Sequence, residues 1–193
     1  MFNLFAFLTY IFVTTYTPGP NNIMSMSNAS IYGFKKSFPF NLGIFFGFSV
    51  VMILCTLFSA GLYTVIPAIK PYMLAIGAIY ILHLAWKTFR SSSEIESKKA
   101  NSNSFFAGMI LQFINPKVII YGITAMSSYI LPHYNTSAIL VGFALLLAFV
   151  GFTGTVCWAI FGALFQKLFT KHTKAINTIM AFLLVYCAVS LFM

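Results

Sequence analysis

Lys117 stands inside a long apolar run, directly after Asn115 and Pro116, and its surroundings call for chemistry. If that run crosses a bilayer, a lysine near its centre costs about 2.5–3.5 kcal/mol even on lenient scales. Asparagine before proline marks a helix starting afresh, with asparagine as N-cap and proline in the first turn. Lys117 then falls in that first turn, where the helix dipole disfavours a cation. An anionic group bound at the break would offset both penalties.

A second interruption lies near the start of the chain, at Thr17-Pro18-Gly19-Pro20-Asn21-Asn22. Pro18 and Pro20 have no backbone N–H, so the carbonyls of Thr14 and Tyr16 lose their helical partners. A helix restarting on Pro20 turns the N–H groups of Asn21, Asn22 and Ile23 into the break. In hydrocarbon such groups must be met by protein, water or a ligand. A zwitterion fits both needs. Its carboxylate suits the two helix N-termini, with Lys117 as the full counter-charge. Its ammonium would take the carbonyls freed at Thr14, Tyr16 and Gln112, helped by the side chains of Thr17 and Asn21. The expected binding set is therefore Thr17, Pro18, Gly19, Pro20, Asn21, Asn22, Gln112, Asn115, Pro116 and Lys117. In the alternative, Lys117 only neutralises the carbonyl end of a neighbouring half-helix.

The elements that must position these residues follow from composition. Of 193 residues, 60% are hydrophobic and 7% charged, with a mean hydropathy of +0.92, where soluble chains carry about 25% charge. Eleven basic and two acidic residues cannot cover a water-facing surface. A span needs roughly 20 apolar residues, and the apolar runs fall at about 2–31, 40–62, 67–89, 105–131, 138–165 and 175–193. Alternate loops hold nine basic residues against one (Lys70), which by the positive-inside rule places both termini outside and the basic loops in the cytoplasm. The polar stretch 91–104 contains both acids, Glu94 and Glu96, and reads as a cytoplasmic linker between three-span halves. Halves with an odd number of spans enter the membrane from opposite sides, and Pro18 and Pro116 interrupt the first span of each. The expected fold is all-α: a polytopic membrane protein of six transmembrane helices in two inverted three-helix repeats, 1–96 and 104–193, with the first and fourth helices broken.

Other chemistries find little support. The basic residues are scattered, which argues against nucleic acid. Cys55, Cys157 and Cys187 lie singly in apolar runs, with no spacing for a redox pair or a metal, and no cofactor is implied. The first run lacks a basic flank and a small-residue cleavage site, so it is expected to be a retained span. His83, His133 and His172 fall in separate segments with no carboxylate near, too little for an intramembrane enzyme. A membrane scaffold would leave the paired breaks without a purpose. The partners expected are a small-molecule substrate and the bilayer, and a homodimer is compatible with the sequence. Gly43 and Gly47 have the spacing of a close helix contact. Trp86 beside Lys87 reads as an interfacial anchor. No acid lies in any run, so proton coupling would rest on Lys117, His83, a buried tyrosine or the substrate's own amine.

The Thr17–Asn22 motif resembles that of the lysine exporter (LysE/RhtB) family of bacterial amino-acid exporters, and the likeness runs the length of the chain. Gly33, Gly43, Gly47 and Gly61 follow at the family's spacing. Tyr80 to Lys87, Leu111 to Lys117, Tyr121 to Thr124 and Leu183 to Val189 also fit, while Ser37, His83 and Ala85 depart from it. The resemblance implies an exporter of small amino acids or derivatives in the bacterial cytoplasmic membrane, driven by the proton gradient.

Overall fold

The computed structural model describes residues 2–90, 103–165, 172–190 and 192, and within its helices all side chains but those of residues 59–70, 73, 87, 173 and 190. The acidic pair Glu94 and Glu96, most of the linker, and Lys98, Lys99, Lys167 and Lys171 lie outside the described residues. Regular structure among the described residues is helical throughout: α1 Leu4–Tyr16, α2 Pro20–Tyr32, α3 Phe34–Phe89, α4 Phe105–Ile114, α5 Pro116–Thr124, α6 Ser137–Leu164 and α7 Thr173–Ser190. Between α5 and α6, Ala125–Ile130 winds as a wider π-type turn.

Both interruptions appear where the prolines place them. The side chain of Asn3 caps α1 through the Ala6 N–H, and α1 ends at Tyr16, ahead of Pro18. Chain growth resumes with Pro20 in the first turn of α2. Ser104 caps α4 through the Ala107 N–H. Asn115 then closes α4 and caps α5, its Oδ1 accepting from the Lys117 N–H at 3.1 Å. Past this cap the helix direction turns by 63°. Between α2 and α3, Gly33 takes a φ of 79°, which a side chain would strain.

Two described helices are long and apolar enough to cross a bilayer unbroken, Phe34–Phe58 and Ser137–Leu164; the bent pair Phe105–Ile114 and Pro116–Ile130 makes a third. The other apolar helices, Leu4–Tyr16, Leu74–Trp86 and Lys174–Val189, are shorter. The expected span at 2–31 falls short because its second half is polar. α2 carries Asn21, Asn22, Ser25, Ser27, Asn28 and Ser30, and every residue from Pro20 to Ser30 is buried. A helix with polar groups on all faces cannot face lipid, so α3, α6 and α7 pack around it.

Helix α3 covers 56 residues, yet it is not a straight rod. Met52 and Cys55 press on Gly122, while Gly77 meets Pro116. Along a straight helix Met52 and Gly77 would stand about 37 Å apart, whereas Pro116 and Gly122 are only about 9 Å apart along α5. Phe40 and Ile44 also share a buried cluster with Ala78, Ile81 and Leu84. The two ends of α3 therefore lie side by side.

Two apolar cores result. One gathers Phe7 of α1, Phe48 and Met52 of α3, Tyr121 of α5, and Leu147 of α6. The other gathers Ile23 of α2, Ile44 and Ile81 of α3, Leu111 of α4, and Leu184 of α7. Each broken pair has one helix in each core, so the breaks form a polar layer where the cores meet. Gly43 and Gly47 rest on the backbone of Phe105 and Met109, giving the close approach that their spacing predicts. Outside, the surface is apolar: Phe5, Leu57, Ile79, Phe106, Leu164 and Phe182 are all exposed. Cys55 and Cys187 are buried, Cys157 is exposed, and none of the three is in a disulfide among the described residues. Trp86 is exposed and lies under the Arg90 guanidinium, 5.3 Å from the ring centre, so a cation does meet the expected anchor.

Candidate functional site

The two breaks meet. Asn21 Nδ2 donates to Gln112 Oε1 at 2.7 Å, and Gln112 Nε2 donates back to Asn21 Oδ1 at 3.2 Å. Asn115 Nδ2 donates to the same Asn21 oxygen at 3.0 Å, and Gln112 Nε2 also reaches the Gly108 carbonyl at 2.9 Å. All three side chains are buried. Removing one partner from such a network leaves buried amide atoms unpaired, at about 1–3 kcal/mol each. These three amides bind the restart of α2 to the end of α4.

Lys117 crosses to the other break. Its Nζ donates to the Thr17 carbonyl at 3.2 Å, the Thr17 hydroxyl at 3.1 Å and the Pro18 carbonyl at 3.3 Å. An ammonium has three N–H groups, and the three acceptors use them all. These are the carbonyls left open at the C-terminal end of α1, where a cation is favoured by the helix dipole. The contact expected of the alternative role of Lys117 is thus present.

Several backbone expectations need correcting. The Thr14 carbonyl accepts from the Thr17 hydroxyl at 3.1 Å, and the Tyr16 carbonyl from the Trp158 indole N–H at 3.2 Å. Each therefore already has one side-chain partner, and its second lone pair remains. The Asn22 amide donates to the carbonyls of Thr15 and Thr17, at 2.8 and 2.9 Å. The Ile23 N–H, expected to be free, bonds the Gly19 carbonyl at 2.9 Å as the first turn of α2 closes. The side chains of Asn21 and Thr17 bond to Gln112, Asn115 and Lys117.

Beside the amide network lies a cavity of about 380 Å³, open solvent at its mouth included. The expected residues Gly19, Pro20, Asn21, Asn22, Asn115 and Lys117 line it, together with Thr14, Thr15, Phe48, Val118, Tyr121, Gly151 and Thr155. Thr17, Pro18, Gln112 and Pro116 are not among the lining residues. Thr155 donates its hydroxyl hydrogen to the Phe152 carbonyl at 2.9 Å, which leaves its lone pairs for a donor. Tyr121 is 3% exposed, and no protein partner closes a hydrogen bond with its hydroxyl. A buried hydroxyl left unpaired costs about 1–3 kcal/mol. His83, a candidate proton carrier, is exposed on α3 and does not line the cavity.

Sequence reasoning did not find Tyr121, Thr155, Gly151 or Trp158. Their runs are apolar on every side, so no stripe shows which face turns inward. The small residues Gly151, Gly154 and Gly162 were a usable signal. Gly154 admits Thr15 and Gly162 admits the Met26 backbone, pressing α6 onto the first break and α2.

Comparison with known proteins gives the family. Residues 12–193 match the family described as LysE type translocator. The chain is 43% identical over 189 residues to the cysteine/O-acetylserine efflux protein of Escherichia coli strain K12, covering 98% of this chain and 97% of that one. The protein of that name from Shigella sonnei strain Ss046 matches with the same identity and coverage. No solved structure matches the chain.

Proposed function

The chain belongs to the LysE type translocator family, and from that premise we propose an exporter whose substrate sits between the two helix breaks. Membership makes it an amino-acid efflux transporter of the membrane rather than an enzyme. The relatives are named for cysteine and O-acetylserine, and those two small amino acids are the cargo proposed here. The observation that carries the site is that breaks nearly a hundred residues apart converge on one cavity with a lysine at its wall.

The carboxylate of the substrate takes the restart of α2 at Asn21–Asn22, where N–H groups and the helix dipole favour an anion, and the Lys117 ammonium beside the Asn115 cap. To pair with it, the Lys117 ammonium must give up at least one of the Thr17 or Pro18 oxygens. Binding is thereby linked to the geometry at the end of α1. The substrate ammonium faces the Thr155 hydroxyl oxygen.

Six spans complete the architecture: α1 with α2, the two ends of α3, α4 with α5, α6, and α7. Residues 1–96 and 104–193 act as inverted halves that rock about the breaks, giving access to each side in turn. The nine-to-one basic bias puts both termini outside the bacterial inner membrane. Lipid covers the exposed apolar side chains. Proton entry drives export, and with no acid in any apolar run the proton travels on Lys117 or on the substrate amine.

A second reading is favoured by the three Lys117 contacts: the lysine only caps the end of α1, and the substrate binds elsewhere. Efflux of a labelled amino-acid panel from loaded vesicles tests the exporter. Cysteine and O-acetylserine should leave fastest, and slower when the proton gradient is collapsed. Retention of the whole panel would contradict the proposal.

A further inference from the structure

Resting on the exporter reading, we infer that the Tyr121 hydroxyl reads the substrate's side chain, donating a hydrogen bond to a polar acceptor there and so selecting small polar amino acids over apolar ones of similar size.

The argument begins with the unpartnered group itself. Tyr121 lines the cavity and its buried hydroxyl lacks a protein partner. The nearest side chain that could serve is Thr15, which lines the same space and interacts with the Tyr121 hydroxyl without closing a bond in hydrogen-bond geometry. The ring cannot swing away to find one. Tyr10 stacks on it with centres 5.8 Å apart and planes 13° apart, and Phe48 meets it edge-on at 5.7 Å and 71°. A buried phenol on a cavity-lining residue, short of a closed bond, takes a ligand atom once a small shift beside Thr15 opens it to the cavity.

Its place on α5 says which atom. Tyr121 lies four residues after Lys117, on the same helix face and about 6 Å further along the axis. With the carboxylate held at Lys117 and the ammonium toward Thr155, Tyr121 stands where the end of a short side chain must lie. An ester carbonyl is a good acceptor for a phenol, a thiol sulfur is a weak one, and a methyl group accepts nothing. A site built around a hydrogen bond rejects the analogue that cannot make it, because its own polar group is then left unpaired.

The test is counterflow by the purified protein in lipid vesicles, with O-acetyl-L-serine, L-cysteine and L-2-aminobutyrate. The wild-type chain should prefer O-acetylserine over 2-aminobutyrate about tenfold. Tyr121→Phe keeps both ring contacts and removes only the hydroxyl. It should cut the preference for O-acetylserine over 2-aminobutyrate about tenfold, with cysteine exchange falling about twofold. An equal fall for all three would mean that Tyr121 touches atoms common to every amino acid, and would overturn the assignment, as would no fall at all. If the variant does not accumulate, competition on the wild-type protein decides: 2-aminobutyrate competing as well as O-acetylserine overturns it. Wild-type exchange of all three without discrimination removes only the role of Tyr121. Exchange of none removes the exporter reading with it.

Discussion

A β-carbon on Gly19 would stand 3.0 Å from the Lys117 Nζ and 3.2 Å from its Cδ. The glycine between the two prolines is therefore a space as well as a break. Lys117 lies against it and reaches the Thr17 and Pro18 oxygens across it. Gly19 is extended, a conformation open to other residues, so its small size is what matters here.

Gly19→Ala should displace the ammonium by a few tenths of an ångström and loosen its three bonds. Export is expected to fall about tenfold, the equivalent of one misaligned charge-assisted hydrogen bond at about 1.5 kcal/mol. The protein should accumulate normally, since a flexible side-chain end can yield. Efflux normalised to protein amount measures this, and Gly19→Val should abolish transport outright.

The amide network predicts coupling between distant residues. Asn21→Ala and Gln112→Ala should each destabilise the protein, and the double variant should cost less than the two together. The non-additive part is expected to be about 1 kcal/mol. Thermal unfolding in detergent of the four proteins in the cycle measures it. Strict additivity would mean that the 2.7 Å bond between the two amides contributes nothing.

Glycines on α6 separate into those that carry packing and one that does not. A side chain at Gly162 would run into the Met26 backbone, while Gly142 faces open space. Gly162→Leu should lower accumulation severalfold, as overpacking costs about 1–3 kcal/mol or more when backbone must move. Gly142→Ala should change stability by less than about 0.5 kcal/mol. Membrane abundance and unfolding temperature compare the pair.

These contrasts also show what was legible in the sequence. The breaks were, because proline and Asn-Pro act locally: missing N–H groups and a side-chain cap end a helix wherever it lies. Lys117 was legible as a problem needing a partner. A half-helix carbonyl end was among its expected partners, but which one was not, because the contact spans a hundred residues and depends on how α1 and α5 are brought together. Thr14 and Tyr16 looked free because sequence shows the bond a proline removes, but not the Thr17 hydroxyl or Trp158 indole that replaces it. Tyr121 and Thr155 were hidden for a related reason. In a run that is apolar all round, rotation about the helix axis is set by neighbours such as Phe48 and not by a hydrophobic stripe.

Orientation is tested by reporter fusions. A reporter after residue 193 should be active only outside the cytoplasm, and one within 91–104 only inside, as the basic loops dictate. A cytoplasmic signal from the C-terminal fusion would remove the inverted halves along with the topology.

The central claim is that Lys117 is a substrate counter-charge and not only a cap for α1. Lys117→Met keeps the bulk of the side chain and removes the charge. Its export of cysteine and O-acetylserine from vesicles, normalised to folded protein, is the direct measurement. The account predicts normal abundance with export lost, and Lys117→Arg restoring only part of it because a planar guanidinium does not match the ammonium's three directions. A well-folded Met variant that exports at the wild-type rate would show that Lys117 holds no substrate.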